Sequence, residues 1–173
     1  MKAVLRFGRV ALLLGASALP SNAHVTLEQR EATLGAPTKL TFRVGHGCGE
    51  SPTIKVRVQI PEGVIAAKPM PKPGWAIDTF KSRYAKTYEF FHGAKLSEGV
   101  TEIAWTGKLA DAHYDEFVAS VFVAADLKPG RLFFPVVQEC EQGVHRWIEI
   151  PAGGQAGHDL KEPAPSLILT PKR

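Results

Sequence analysis

The sequence predicts an all-β fold, an antiparallel two-sheet β-sandwich of immunoglobulin or cupredoxin type. Apolar and polar residues alternate along Thr38–Val44 and Thr53–Ile60, as in strands with one face in a core and the other in water. Short apolar runs separated by Gly, Pro and charged residues continue to the end of the chain, and none has the period of an amphipathic helix. Many short strands bury their apolar faces best as two packed sheets.

Further strands are predicted on both sides of the chain's midpoint. The runs are Trp75–Phe80, Lys86–Phe91, Val100–Thr106, Glu116–Ala125, Arg131–Gln138, His145–Ile150 and Ser166–Thr170. Glu116–Ala125 and Arg131–Gln138 are the most continuously apolar, which favours central positions in the sandwich. Lys68–Gly74 is proline-rich and predicts a loop, because proline cannot donate to a ladder of backbone hydrogen bonds.

The first 23 residues have the layout of a cleavable secretory signal. Three basic residues precede the apolar run Val10–Leu19, and the small-residue site Ser21-Asn22-Ala23 follows. The run is shorter than the ~20 residues of a membrane-spanning helix. We therefore expect cleavage after Ala23, export, most simply to the periplasm, and a mature chain without a transmembrane helix. The mature chain, residues 24–173, has the length of one β-sandwich domain.

The charge of the mature chain excludes nucleic acid as an implied partner. The full sequence carries a net charge of +4, but the signal holds three of its 21 basic residues and none of its 17 acidic ones. Removing the signal leaves 18 basic and 17 acidic residues, a balance of +1. A domain so close to neutrality has no electrostatic footprint for phosphate backbones.

The only two cysteines, Cys48 and Cys140, both lie in the exported part. An oxidising compartment favours a disulfide between them. Closing so long a loop stabilises a fold by roughly 4–5 kcal/mol in the chain-entropy model. The alternative, two thiolate metal ligands, has less support because neither cysteine belongs to a Cys-x-x-Cys pair.

Cleavage after Ala23 would make His24 the first residue, which then offers two nitrogens to a metal ion. An α-amine has a pKa of about 8 and an imidazole about 6.5, so a metal displaces both protons at neutral pH at small cost. Nitrogen donors suit tetragonal Cu(II), which binds them more tightly than zinc or nickel does. The alternative is that His24 is an ordinary exposed first residue, and further ligands must decide between the two.

Several segments in order resemble the YcnI-like periplasmic or surface copper-binding proteins, over nearly the whole mature chain. They are His24-Val25-Thr26, Thr38–Val44, Lys55–Gly63, Gly74-Trp75, Trp105-Thr106-Gly107, His113–Phe117 and Trp147. The resemblance implies an immunoglobulin-like sandwich that holds Cu(II) with the N-terminal histidine, a glutamate from a loop, and a tryptophan close to the metal. His24 and Trp147 match the family pattern, but the glutamate does not.

In place of that glutamate the chain has Val44-Gly-His-Gly-Cys-Gly-Glu50, so the third ligand is His46 or Glu50. His46 is the better candidate, because a disulfide at Cys48 would hold its loop still and preorganised ligands bind better. It would complete a brace of one amine and two imidazoles, which Cu(II) accepts. The alternatives are that His46 is an exposed loop histidine and Glu50 a surface charge.

Trp147 lies between His145 and Glu149 on one face of its strand, which suggests a wall of a metal site rather than a simple core face. Packing of Trp147 in the sandwich core is the alternative. His145 could serve as an outer-shell group or a fourth ligand. The polar stretch His113–Glu116 could be acid–base machinery, but a loop that satisfies buried polar groups is the simpler interpretation.

The sequence therefore predicts an exported, non-enzymatic Cu(II)-binding protein for copper storage, trafficking or homeostasis. Its expected partners are copper and another exported copper chaperone or a membrane copper transporter. One alternative is a histidine-brace copper oxidoreductase, although the chain has only three Trp and three Tyr and no evident aromatic stripe for a substrate. Another is a metal-free adhesion or receptor-like sandwich. Only Met70 remains after cleavage, so a methionine-rich Cu(I) site is not expected.

Overall fold

The computed structural model describes residues 24–153 and 159–172, so the expected signal lies outside the described residues. The described strands are β1 (Thr26–Leu27), β2 (Glu31–Thr33), β3 (Ala36–Val44), β4 (Thr53–Gln59), β5 (Val64–Pro69), β6 (Ala76–Glu89), β7 (Lys95–Leu109), β8 (Asp115–Val123), β9 (Gly130–Phe133), β10 (Val136–Cys140), β11 (Val144–Trp147) and β12 (Ser166–Thr170). A 3-10 turn at Phe91–Gly93 separates β6 from β7. No helix in these ranges is long and apolar enough to cross a membrane.

Hydrogen bonds join the strands into three sheets, with the orders β1-β3-β8-β5, β11-β10-β4-β7-β6 and β2-β12-β9. The predicted all-β class is confirmed. The alternating pattern predicted two sheets, and the small third sheet is an addition. It forms because β12 pairs in parallel with β2 and antiparallel with β9 instead of joining either larger sheet.

The inward faces of the two larger sheets share one hydrophobic core, as the alternation in β3 and β4 predicts. Its fully buried side chains include Leu40, Phe42, Val56, Val58, Ile103, Trp105, Phe117 and Val136. Burial of a side chain of this size contributes roughly 1.5–3 kcal/mol. The two larger sheets, whose edge strands include β1 and β11, are therefore held rigidly by this core.

The observed strands differ from the sequence prediction in several places. The short strands β1 and β2 and the strand β5 were not predicted, and β11 ends at Trp147 instead of Ile150. The hairpin β6–β7 is longer than expected, because Tyr84 and Tyr88 pack on a second apolar cluster and keep β6 continuous through its charged residues. The run Arg131–Gln138 divides into β9 and β10, which belong to different sheets. Pro135 lies at the division, where it has no N–H to continue a ladder.

Candidate metal centre

Two histidines from distant parts of the chain contact the indole of Trp147, and a third, His46, lies beside one of them. The His24 ring meets it edge-on at 5.4 Å between ring centroids, and the His145 ring stacks on it at 4.9 Å. The His46 ring lies 6.2 Å from that of His145. All three histidines are partly buried, whereas Trp147 is only 4% exposed. His24 therefore contacts Trp147 directly, whereas the His46 ring neighbours that of His145, which stacks on Trp147.

Strand pairing explains why these residues meet. Thr26 of β1 lies opposite Arg43 of β3 in an antiparallel pair, so His24 before β1 and His46 after β3 stand at the same end of that pair. In the other large sheet, β10 and β11 form a hairpin in which Gln138 lies opposite His145. Trp147 at the end of β11 points into the core between these two groups.

Gln138 links the histidine loop to the tryptophan. Its side chain is only 1% exposed. The amide nitrogen donates to the His46 carbonyl at 2.6 Å and to Thr53 Oγ1 at 2.8 Å. The amide oxygen accepts from Trp147 Nε1 at 3.0 Å. Sequence reasoning missed Gln138, for which the only signal is a polar residue that follows two valines in an inward-facing position.

The loop that carries His46 is held on both sides. Cys48 and Cys140 form the predicted disulfide, with 6.0 Å between their Cα atoms, which connects the loop to β10. The Gly47 amide donates to Asp111 Oδ1 at 2.9 Å. A Cβ atom at Gly47 would lie 2.0 Å from the Ser51 carbonyl oxygen, so only glycine fits there. The backbone next to His46 is therefore fixed before any ligand binds.

Hydrogen bonds also define which nitrogen each of two imidazoles presents. His145 Nδ1 contacts Glu162 Oε1 at 2.7 Å, and His46 Nδ1 contacts the Gly47 carbonyl oxygen. Carboxylate and carbonyl oxygens only accept, so in both rings Nδ1 carries the proton and donates it. In the neutral rings the Nε2 atoms keep their lone pairs, which is the form that binds metals.

Glu162 is ionised in this arrangement. Burial on its own would raise the pKa of the Glu162 carboxyl, but the hydrogen bonds from His145 and from the Arg146 amide, together with the charge of Lys161, lower the pKa overall. The carboxylate therefore accepts both hydrogen bonds at neutral pH. Glu162 lies in the Gly- and Pro-rich tail, where the sequence pattern gave no indication of a role at the site.

Glu50, the other candidate for the third ligand, is exposed in the turn between Cys48 and Ser51. Its carboxylate has no hydrogen bond or ion pair with the described residues. Also within residues 24–153 and 159–172, no three His, Cys, Asp or Glu side chains lie close enough to hold one metal ion as they stand. His24 and His145 contact Trp147 and His46 lies beside His145, but the three rings do not converge on one point.

The polar stretch His113–Glu116 makes contacts of a structural kind. His113 and Tyr114 are exposed, and the Arg43 guanidinium lies 4.6 Å from the centre of the Tyr114 ring. Asp115 accepts a hydrogen bond from Lys72 Nζ at 2.6 Å and caps the Glu116 amide at 2.8 Å. These contacts fix the entry to β8.

A cleft of about 720 Å³ opens beside His24. Its charged lining consists of Glu28, Arg30, Arg43, Glu116 and Arg131, and its apolar lining of short aliphatic and proline side chains. No Trp, Tyr or Phe belongs to this lining among the described residues. The cleft therefore offers charge and hydrogen bonding next to His24.

The fold and this site define an all-β domain in which two histidines contact a buried tryptophan at the edge of a sandwich and a third histidine lies beside them. The chain belongs to the family described as "Domain of unknown function (DUF1775)", whose model matches residues 24–169.

One solved structure supports the fold. A crystal structure of an uncharacterized protein from Nocardia farcinica, described as having an immunoglobulin-like fold, is 26% identical, with a TM-score of 0.62. The match covers 85% of this chain and 98% of that one. A putative membrane-anchored protein from Corynebacterium diphtheriae is 10% identical, with a TM-score of 0.39 and coverage of 84% and 34%. No curated protein matches the chain. The sandwich is therefore immunoglobulin-like.

Proposed function

We propose that this protein binds Cu(II) outside the cytoplasm, to store the ion or pass it on, through the amine and imidazole of His24 and the imidazole of His46. The observation that carries the proposal is that His24 contacts Trp147, while Gln138 joins the His46 backbone to the same indole. Signal cleavage would turn His24 into a chelating residue at that place. The match to the family begins at the same residue, His24.

The chemistry of the donors suits copper. An N-terminal amine and two imidazoles are all nitrogen donors of the kind that Cu(II) prefers over other divalent ions of its row. In the full-length chain the His24 nitrogen is a peptide nitrogen and cannot bind. Formation of the site therefore requires cleavage, and then rotation of the His24 and His46 side chains onto the ion.

The disulfide and the fixed loop support the same proposal. A disulfide forms and persists in oxidising compartments, which agrees with export, and we propose the periplasm as the location. The loop held by Cys48 and Gly47 limits the motion of His46, and so reduces the entropy lost on metal binding. The buried Trp147 excludes water from one side of the site.

A histidine-brace oxidoreductase acting on a polysaccharide is less well supported. Such an enzyme needs a flat aromatic surface beside the copper, whereas the cleft next to His24 is lined by charged and aliphatic residues in the described part of the chain. Its arginines and glutamates suit contact with a charged protein that delivers or accepts copper. An exported copper chaperone or a membrane copper transporter is the partner we propose.

The choice between His46 and Glu50 tests this proposal. In the processed protein, His46→Ala should weaken Cu(II) binding by more than the about 10–100-fold that loss of an outer-shell group costs. Glu50→Gln should change binding little, because its side chain is exposed and unattached. Competition with a chelating dye measures both affinities.

His92→Asn is the matched control, because His92 lies in the exposed turn after β6 and asparagine tolerates its positive φ of 57°. It should bind copper as the parent does. If Glu50→Gln weakens binding and His46→Ala does not, the site has one histidine and a carboxylate, and the two-histidine assignment is wrong.

A further inference from the structure

We propose that His145 is a further ligand of the copper site and that Glu162 is the residue that positions it. This inference rests on the proposed function. It adds a third imidazole to the site and assigns a role to a carboxylate in the C-terminal tail.

The Glu162 carboxylate is fixed by both of its oxygens. Oε1 accepts from His145 Nδ1 at 2.7 Å, and Oε2 accepts from the Arg146 amide at 2.9 Å. The Glu162 amide in turn donates to Glu149 Oε2 at 2.8 Å, and the two backbones pair around Pro163. The carboxylate is thus tied to β11 on either side of the histidine that it orients.

The resulting arrangement is the carboxylate–histidine pair that commonly supports metal-bound imidazoles. With Nδ1 donating to Glu162, His145 presents a lone pair on Nε2. Stacking on Trp147 fixes the plane of the ring, and the side chain remains 28% exposed, so an ion can reach it. If the contact between His145 and Glu162 were only a surface ion pair, it would add little to the stability of the fold. It would also require neither the stacking of the His145 ring on Trp147 nor the second contact of the Glu162 carboxylate.

The His46 and His145 rings lie close enough to reach one shared ion once the His46 side chain has rotated as described above. With metal–nitrogen bonds of about 2.0 Å, two imidazoles that bind one ion from opposite sides have ring centres roughly 6 Å apart. The ring centroids of His46 and His145 are 6.2 Å apart, and Nδ1 is engaged elsewhere in both rings. Together with the amine and imidazole of His24, these residues supply the four nitrogen donors of a tetragonal Cu(II) site.

The test uses the processed protein with Cu(II) alone and three variants. His145→Phe keeps a ring against Trp147 but has no nitrogen donor. Glu162→Gln keeps the size of the positioning residue and removes its charge. Asp126→Asn is the matched control, because it removes a carboxylate that pairs with Lys86 at the surface and contacts no residue of the proposed site. Competition with a dye gives the affinity, and pulsed electron paramagnetic resonance counts the bound imidazoles.

His145→Phe should remove one imidazole from the spectrum and weaken binding beyond the about 10–100-fold range of outer-shell changes. Glu162→Gln should keep the imidazole count and weaken binding by about 10–100-fold. In the His145→Phe background, Glu162→Gln should add nothing, since it acts through that ring. Asp126→Asn should bind as the parent does. Urea unfolding of the metal-free variants checks that each one folds.

Two results overturn the inference in distinguishable ways. If the parent binds Cu(II) tightly and His145→Phe retains both its affinity and its imidazole count, His145 is not a ligand while the proposed function stands. If the processed parent has no tight Cu(II) site, the proposed function fails and the inference fails with it.

Discussion

A protein that retains one methionine before His24 is expected to lose its tight Cu(II) site. The extra residue turns the α-amine of His24 into a peptide nitrogen. His24 then keeps only its imidazole as a donor, so its two-nitrogen chelate is lost. The loss should exceed the about 10–100-fold cost of an outer-shell change, because a direct donor is removed. Competition with a chelating dye measures the Cu(II) affinity of the extended and the processed protein side by side.

The matched control carries one extra methionine after Arg173, at the other end of the chain. It should bind Cu(II) with the affinity of the processed parent. If the protein extended before His24 bound Cu(II) as tightly as the processed parent, the amine would not be a ligand, even if the imidazoles are.

Removal of the disulfide is expected to have the largest effect on stability. The bridge joins Cys48 and Cys140, which are 92 residues apart in sequence. A cross-link over a loop of this length stabilises the fold by about 4–5 kcal/mol in the chain-entropy model. The double variant Cys48→Ala/Cys140→Ala should therefore unfold at a clearly lower urea concentration in the metal-free state.

The same variant should also bind copper more weakly. Cys48 lies two residues after His46, and Cys140 two residues after Gln138, so the bridge holds together the two segments that shape the site. Reduced parent protein serves as the control for stability and should unfold at the midpoint of the double variant. If the double variant were as stable as the oxidised parent, the disulfide would contribute little to the stability of the fold.

The part of this architecture that local patterns encode could be predicted from sequence. Alternation at a period of two located β3 and β4 closely, and two cysteines in a chain expected to be exported predicted their bridge. The third sheet was not predictable in the same way, because β2 and β12 are far apart in sequence and no local pattern specifies their parallel pairing. Which strands pair over such a distance depends on which sheet edges remain unpaired once the rest of the chain has folded.

Some residues of the candidate site could likewise be predicted from the sequence, and others could not. The position of His24 after a cleavage signal and of His46 after a strand made both visible in the sequence. Gln138 and Glu162 were not visible, since each acts through hydrogen bonds to residues that only the folded chain brings near. Glu50 was retained as a ligand candidate on sequence proximity alone, and it lies exposed in a turn.

The most direct test of the central claim is an electron paramagnetic resonance spectrum of the processed protein, beginning at His24, with one equivalent of Cu(II). The account predicts one tetragonal Cu(II) species whose hyperfine structure shows several coordinated nitrogens, imidazoles among them. A spectrum of hydrated copper, or of copper bound only by oxygen, would contradict it.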